Sequence, residues 1–304
     1  MIDPLSRLVA IAALVLPGSA FPQDTPAPDL VLTPVLELQA PSQDDDFVII
    51  RGKAADPARY PVSFRLAMSA TEVCTWFLVA PRVLVTAAHC VKDGSAVTIK
   101  AKNPAPGSAP PELTYKGICE ASPRYPADKS MDWALCLLDL SFPLPTDSRI
   151  KVVGYERLNT NVDDVKRDAS IQITGFGCKS AGAIVSETYL VGSALVARLP
   201  PNVDSHGLME VTPNYIEIKG NPSILCAGDS GGPAFLLSER DATGHLRTVI
   251  GINSRTVNKD GNAMGYLASA STEDVVSWIK RWAKEKGQRI CGVHADARAC
   301  RPAG

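Results

Sequence analysis

The chain has 304 residues, 45% of them hydrophobic, which supports a sizeable core in one large domain or two ordinary ones. Its 31 Lys and Arg nearly balance its 32 Asp and Glu, for a formal net charge of −1 at pH 7. That balance gives no reason to propose nucleic acid or a polybasic membrane contact.

Residues 1–20 read as an export signal. Arg7 supplies positive charge, Leu8 to Leu16 is a short apolar core, and Gly18-Ser19-Ala20 offers small residues for cleavage. The apolar run is too short to span a membrane. Residues 21–48 are rich in Pro, Asp and Gln and read as a mobile pro-segment, in which Leu30 to Leu38 could dock as a strand. From Ile49 onward, short β-prone runs alternate with turn clusters: Ala96 to Lys100, Ala134 to Leu138, Ile171 to Thr174, Tyr189 to Ala197, Thr248 to Ile252 and Met264 to Ala268. Many short strands with Gly and Pro turns predict an all-β sandwich or barrel. Residues 103–111 read as a Pro-rich surface loop. One helix is expected near the C-terminus. Ser271 and Asp274 have capping-box spacing, and Val275, Trp278, Ile279 and Trp282 fall on one face. Lys280, Arg281, Lys284 and Lys286 line the solvated side.

Three separated segments carry chemistry. Thr86-Ala87-Ala88-His89-Cys90 follows the apolar run Val83-Leu84-Val85, so the imidazole projects from the end of a buried strand. The other three histidines, His206, His245 and His294, have no such setting. Asp132 stands at the mouth of the apolar strand Ala134-Leu135-Cys136-Leu137-Leu138. An acid is costly to bury there without a partner, and an imidazole N–H is a suitable one. Gly228-Asp229-Ser230-Gly231-Gly232-Pro233 sets a serine on a glycine-rich turn. Such a turn can expose Oγ and aim backbone N–H groups at one spot, as an acyl-transfer nucleophile requires.

These three motifs, in the order His, Asp, Ser, resemble those of trypsin/chymotrypsin-like serine peptidases. The resemblance runs from about Ile49 to Gly287. Three shorter stretches add to it. Ile173-Thr174-Gly175-Phe176-Gly177 resembles the family's Gly-Trp-Gly strand with Phe for Trp. Gly251-Ile252-Asn253-Ser254 resembles the strand that binds substrate backbone, and Ile49-Ile50-Arg51-Gly52 resembles the activated N-terminus.

The resemblance implies two packed six-stranded antiparallel β-barrels with a C-terminal α-helix, spanning residues 49–287 and followed by a tail, 288–304. It implies Ser230 as nucleophile, His89 as base and Asp132 as the acid that orients it, with the N–H groups of Gly228 and Ser230 as oxyanion hole. Eight cysteines in an exported chain suggest disulfides rather than metal, and no Cys-x-x-Cys is present. The family layout pairs Cys74 with Cys90 and Cys119 with Cys136. It sets Cys178 beside Cys226, leaving Cys291 and Cys300 to close the tail. No cofactor is implied, and the partners are protein or peptide substrates.

In the family, the acid before the serine pairs with a new N-terminal ammonium. Asp229 and Ile49 therefore imply a zymogen cut between Val48 and Ile49, with an activating protease that is not trypsin-like. The resemblance places the substrate-binding positions at Ile224 for the pocket base, Ser254, Arg255 and Thr256 on one wall, and Met264 or Gly265 opposite. Ile224 cannot pair with Arg or Lys, and the β-branched Thr256 suggests a shallow pocket for Ala or Val. The expected product is a secreted monomeric endopeptidase. The rival expectation is a binding protein on the same scaffold without activity.

Overall fold

The computed structural model describes residues 30–35, 49, 52–67, 72–102, 112–144, 154–178, 185–201, 213–220, 223–237, 247–259, 262–294 and 300. The export signal read at residues 1–20 and the loop read at 103–111 lie outside these.

The first set of strands comprises β1 (Leu30–Pro34), β2 (Lys53–Ala54), β3 (Ser63–Ala67), β4 (Val73–Ala80), β5 (Val83–Thr86), β6 (Ala96–Lys102), β7 (Glu112–Ala121) and β8 (Ala134–Leu138). The second comprises β9 (Ser170–Gly175), β10 (Leu190–Arg198), β11 (Tyr215–Gly220), β12 (Pro233–Leu237), β13 (Arg247–Lys259) and β14 (Asn262–Ser269), and helix α1 (Glu273–Glu285) follows. Seven strands close a barrel in the order β1-β3-β4-β5-β8-β7-β6. The second ring runs β11-β14-β13-β12-β9-β10 and closes through β10 with β11, while β2 pairs on the outside of β10. Every strand run expected after Ile49 falls on one of these elements.

Two packed barrels agree with the expected fold, but the first has seven strands rather than six. The extra one, β1, comes from the segment read as mobile, and it lies parallel to β6 rather than antiparallel. Its sequence explains why. Leu-Val-Leu-Thr-Pro alternates strictly, with Leu30, Leu32 and Pro34 buried and Val31 and Thr33 exposed. A period of two with one apolar face is what a barrel wall accepts. Leu30 and Leu32, with the following Val35, join the core that contains Phe64, Leu66, Val97 and Ile99. Replacing Leu32 by Ala should therefore cost about 3 kcal/mol in urea unfolding. The same truncation at Val31, which is 48% exposed, should stay within about 0.5 kcal/mol.

An ion pair joins the start of β13 to the segment between the barrels. Arg247 donates through Nη2 to Glu156 Oε1 at 2.5 Å and through Nε to Oε2 at 3.2 Å. Its guanidinium lies over the rings of Tyr60 and Phe235, 4.4 and 4.3 Å from their centroids. Breaking such a buried pair by removing one partner leaves an uncompensated charge.

Helix α1 buries Val275, Trp278, Ile279, Trp282 and Ala283, the face its 3.6-residue periodicity marks out. Its start differs from the expected capping box. Thr272 is the N-cap and makes no side-chain cap hydrogen bond. Ser271 instead turns back, its N–H donating to Ser269 Oγ at 3.2 Å. The two hydroxyls also meet, and Ser271 stands one residue before the cap. Disulfides join Cys74 to Cys90, Cys119 to Cys136, Cys178 to Cys226 and Cys291 to Cys300.

Candidate active site

β5 and β8 are neighbours, with Thr86 opposite Ala134. Their ends therefore hold the next chemical groups side by side. His89 sits on a single 3-10 turn, Ala88–Cys90, directly after β5, and the Cys74–Cys90 bridge ties that turn to β4. Asp132 ends another such turn, Lys129–Met131, just before β8. The two meet twice: the His89 backbone N–H donates to Asp132 Oδ1 at 2.9 Å, and Nδ1 lies 2.7 Å from Oδ2. A carboxylate at Nδ1 favours the tautomer with its proton there, leaving Nε2 to accept one. Asp132 is 2% exposed and the His89 side chain 33%, so the imidazole reaches solvent while its partner does not.

The loop that carries Ser230 comes from the other barrel and is pressed against Thr75, Thr86 and Ala87 of the first. Gly228 and Gly231 have φ of +96° and +79°, a region where a side chain is strained. A Cβ on Gly231 would also overlap Thr86 Oγ1 at the end of β5. Thr75 of β4 stitches the loop to the first barrel. Its N–H donates to Ser230 O at 2.8 Å and its Oγ1 to Gly228 O at 3.0 Å. The Gly231 N–H donates to Asn253 O at 2.8 Å and that of Gly232 to Asp229 O at 2.9 Å. By contrast, the N–H groups of Gly228 and Ser230 donate to no protein acceptor among the described residues. Two such donors beside a serine can receive a developing oxyanion.

Asp229 points the other way, into the second barrel. Oδ1 accepts from the Gly177 N–H at 2.8 Å and Oδ2 from the Cys226 N–H at 2.9 Å. A Cβ on Gly175 or Gly177 would overlap this carboxylate, which explains the glycines of the Gly-Phe-Gly turn. Burial raises the Asp229 pKa from 3.8 to about 7, against the pull of its two backbone hydrogen bonds. Among the described residues no cation faces it. Ile49 is fully buried in the same barrel's core, beside Gly192 of β10, where a Cβ would meet both Ser223 and Ile49.

A cavity of about 170 Å³ opens beside Ser230, lined by Leu225, Cys226, Ala227, Asp229, Ser230, Asn253, Ser254, Arg255 and Thr256. Of the positions expected to bind substrate, Ser254, Arg255 and Thr256 line it. Ile224, Met264 and Gly265 do not. Ile224 is buried in the second barrel's core, Met264 packs against the larger apolar cluster that draws on both barrels, and a Cβ on Gly265 would meet Ile218 and Leu225.

Ser254 has a further contact that sequence reasoning missed: its Oγ donates to Asp132 Oδ2 at 2.6 Å. The Tyr215 hydroxyl lies 3.1 Å from Ser254 Oγ and donates to Lys129 O at 2.6 Å. Burial pushes the Tyr215 phenol up, so it stays protonated. Ser254 stood in a recognisable motif, whereas nothing local marked Thr75 or Tyr215. Because a hydrogen bond to a charged acceptor is worth about 1.5–3 kcal/mol, Ser254→Ala should lower kcat/KM at least about tenfold in steady-state assays. Cys74, His89 and Cys90 cluster at metal-ligand distances, but the two sulfurs are bonded to each other and offer no thiolate.

Residues 49–279 match the family model described as Trypsin. The chain belongs to the trypsin family. As a member it is a serine-type endopeptidase by class, a hydrolase. This trypsin-family chain is 27% identical over 200 residues to a trypsin of Phaedon cochleariae, covering 62% of itself and 74% of that protein. It is 25% identical over 237 residues to serine protease SP24D of Anopheles gambiae, covering 76% and 80%. A third relative, named extracellular metalloprotease, from Bacillus subtilis, is 29% identical over 178 residues, and the match spans only 55% of that protein. Among solved structures, mouse neuropsin superposes with a TM-score of 0.56 at 21% identity, covering 76% of this chain and 98% of that one. Human heparin binding protein gives 0.55 at 18%, covering 79% and 99%. These structural likenesses concern the fold.

Proposed function

We propose that the protein is a secreted serine endopeptidase, made as a zymogen. The observation that carries this is the His89–Asp132 pair set against a serine loop with two unengaged N–H groups. Ser230 Oγ attacks a peptide carbonyl, and His89 accepts its proton and then gives it to the leaving amine. Asp132 holds the imidazole and stabilises its charged form, and the N–H groups of Gly228 and Ser230 take the oxyanion. Water then releases the acyl group, and no cofactor takes part. A fluorophosphonate probe should label the activated protein at one site, and Ser230→Ala should abolish the label. A folded wild-type protein that takes no label would instead support the binding-protein reading.

Activation is read as cleavage between Val48 and Ile49. A buried carboxylate with no countercharge is what a newly made ammonium would satisfy. The fully buried Ile49, in the barrel that also holds Asp229, supports the same reading. N-terminal sequencing of active-site-labelled protein should find a chain beginning at Ile49; its absence would sink this part.

Substrate choice is read from the small cavity and Thr256 at its wall. Peptides ending in Ala or Val should be cleaved ahead of those ending in Phe or Arg, and a clear Arg preference would refute it. Such pockets discriminate by only about 10–200-fold per methylene. A protease with this preference would accept its own Val48.

A further inference from the structure

We propose that residues 30–34 are a permanent strand of the first barrel, held in cis before activation and in trans after it. The mature enzyme then carries its own severed N-terminal segment as a second, non-covalent chain. The second half of this statement rests on the proposed cut between Val48 and Ile49; the docking of the strand does not.

The topology carries the argument. In the barrel order, β3 and β6 are each neighbours of β1 and not of each other. On one side β1 runs antiparallel to β3, with Leu32 opposite Leu66 and Pro34 opposite Phe64. On the other it runs parallel to β6, with Leu30 opposite Val97 and Leu32 opposite Ile99. Removing β1 would expose two strand edges at once and open the barrel wall. It would also uncover the apolar floor that Leu30, Leu32 and Val35 occupy. Unpaired edges over an exposed core are a template for aggregation. The slot between β3 and β6 thus has the form of a β-augmentation site, and its occupant is a segment of this chain.

The position of the cut leaves this ladder whole. Val48–Ile49 lies well beyond the last residue of β1, and Ile49 is packed in the core of the other barrel. Cleavage there breaks no β1 pairing. The cut falls in the long connection from Pro34 to Ser63 that leads from β1 to its antiparallel neighbour β3, so no tight hairpin is severed. Residues 21–48 contain no cysteine, so β1 and its ladder must do the holding.

The test uses the full chain with Ser230→Ala to stop self-cleavage and a site for a sequence-specific protease inserted between Ser42 and Gln43. After nicking, gel filtration and mass spectrometry follow both fragments. The expected result is co-elution in a 1:1 ratio under native conditions and separation in guanidinium. Leu32→Ala in the same background should speed release. A short fragment that leaves under native conditions overturns the proposal, whether or not the remainder stays folded. Failure of the activation reading shows elsewhere, as wild-type enzyme with no chain beginning at Ile49, and does not alter the outcome of the engineered nick.

Discussion

Replacing Asp132 by Asn should lower kcat about 10⁴-fold, the size of that loss in the general Ser-His-Asp template, and Ser230→Ala about 10⁶-fold. The geometry says why the conservative change is so damaging. Asp132 accepts three hydrogen bonds, from the His89 backbone N–H, from the ring at Nδ1 and from Ser254 Oγ. An amide that keeps the backbone bond at the Oδ1 position presents its N–H to the ring. That would favour the imidazole tautomer whose Nε2 is already protonated and cannot take the serine proton. Urea unfolding should meanwhile move little, because the carboxamide keeps the volume. Activity that survives Asp132→Asn within about tenfold would mean that His89 is not oriented through this contact.

The second large effect is a pH dependence. In the uncut chain burial holds the Asp229 pKa at about 7 against 3.8 for the free group. Between those values the folded protein keeps a proton that the unfolded chain has released. Stability of the uncut protein should therefore fall as pH rises from about 4 to 7, by at most about 1.4 kcal/mol per unit and about 4 kcal/mol across the window. Urea unfolding of the Ser230→Ala chain across this range measures it, with Asp229→Asn as the reference that removes the titration. The difference between the two curves carries the signal, since other groups titrate in both. After cleavage at Val48–Ile49 an ammonium beside Asp229 should hold it ionised, and the slope should disappear. Parallel curves for the uncut parent and Asp229→Asn would show that Asp229 does not titrate in this window.

Much of the site was legible because its chemistry is local. His89, Asp132 and Ser230 each sit in a short run whose glycines, small residues or apolar flanks have a direct physical purpose. Gly177, for example, is there because a Cβ would overlap the Asp229 carboxylate. The barrels were legible through alternating short apolar runs. The residues that join one segment to another were not. Thr75 bonds the loop of Ser230 and Gly228 from the other barrel, and the Arg247–Glu156 pair spans 91 positions. Neither has a sequence pattern of its own. The docking of Leu30–Pro34 was an open alternative, because Pro and Asp around it argue for mobility while its own alternation argues for a strand. The barrel's need for a partner between β3 and β6 decided the matter. Ser271 misses the cap by one residue, because the helix begins at Glu273 and Thr272 takes that position.

The placement of the disulfides has a consequence for how this enzyme would lose activity. Two bridges lie within the first barrel, one within the second and one in the tail. None of them links the barrel that carries His89 and Asp132 to the one that carries Ser230. Each half is cross-linked internally, while their mutual alignment is held without covalent bonds, by a shared apolar cluster and by contacts such as those of Thr75. Mild stress should therefore silence catalysis while both halves keep their circular dichroism, and relief of the stress should restore it without any thiol chemistry.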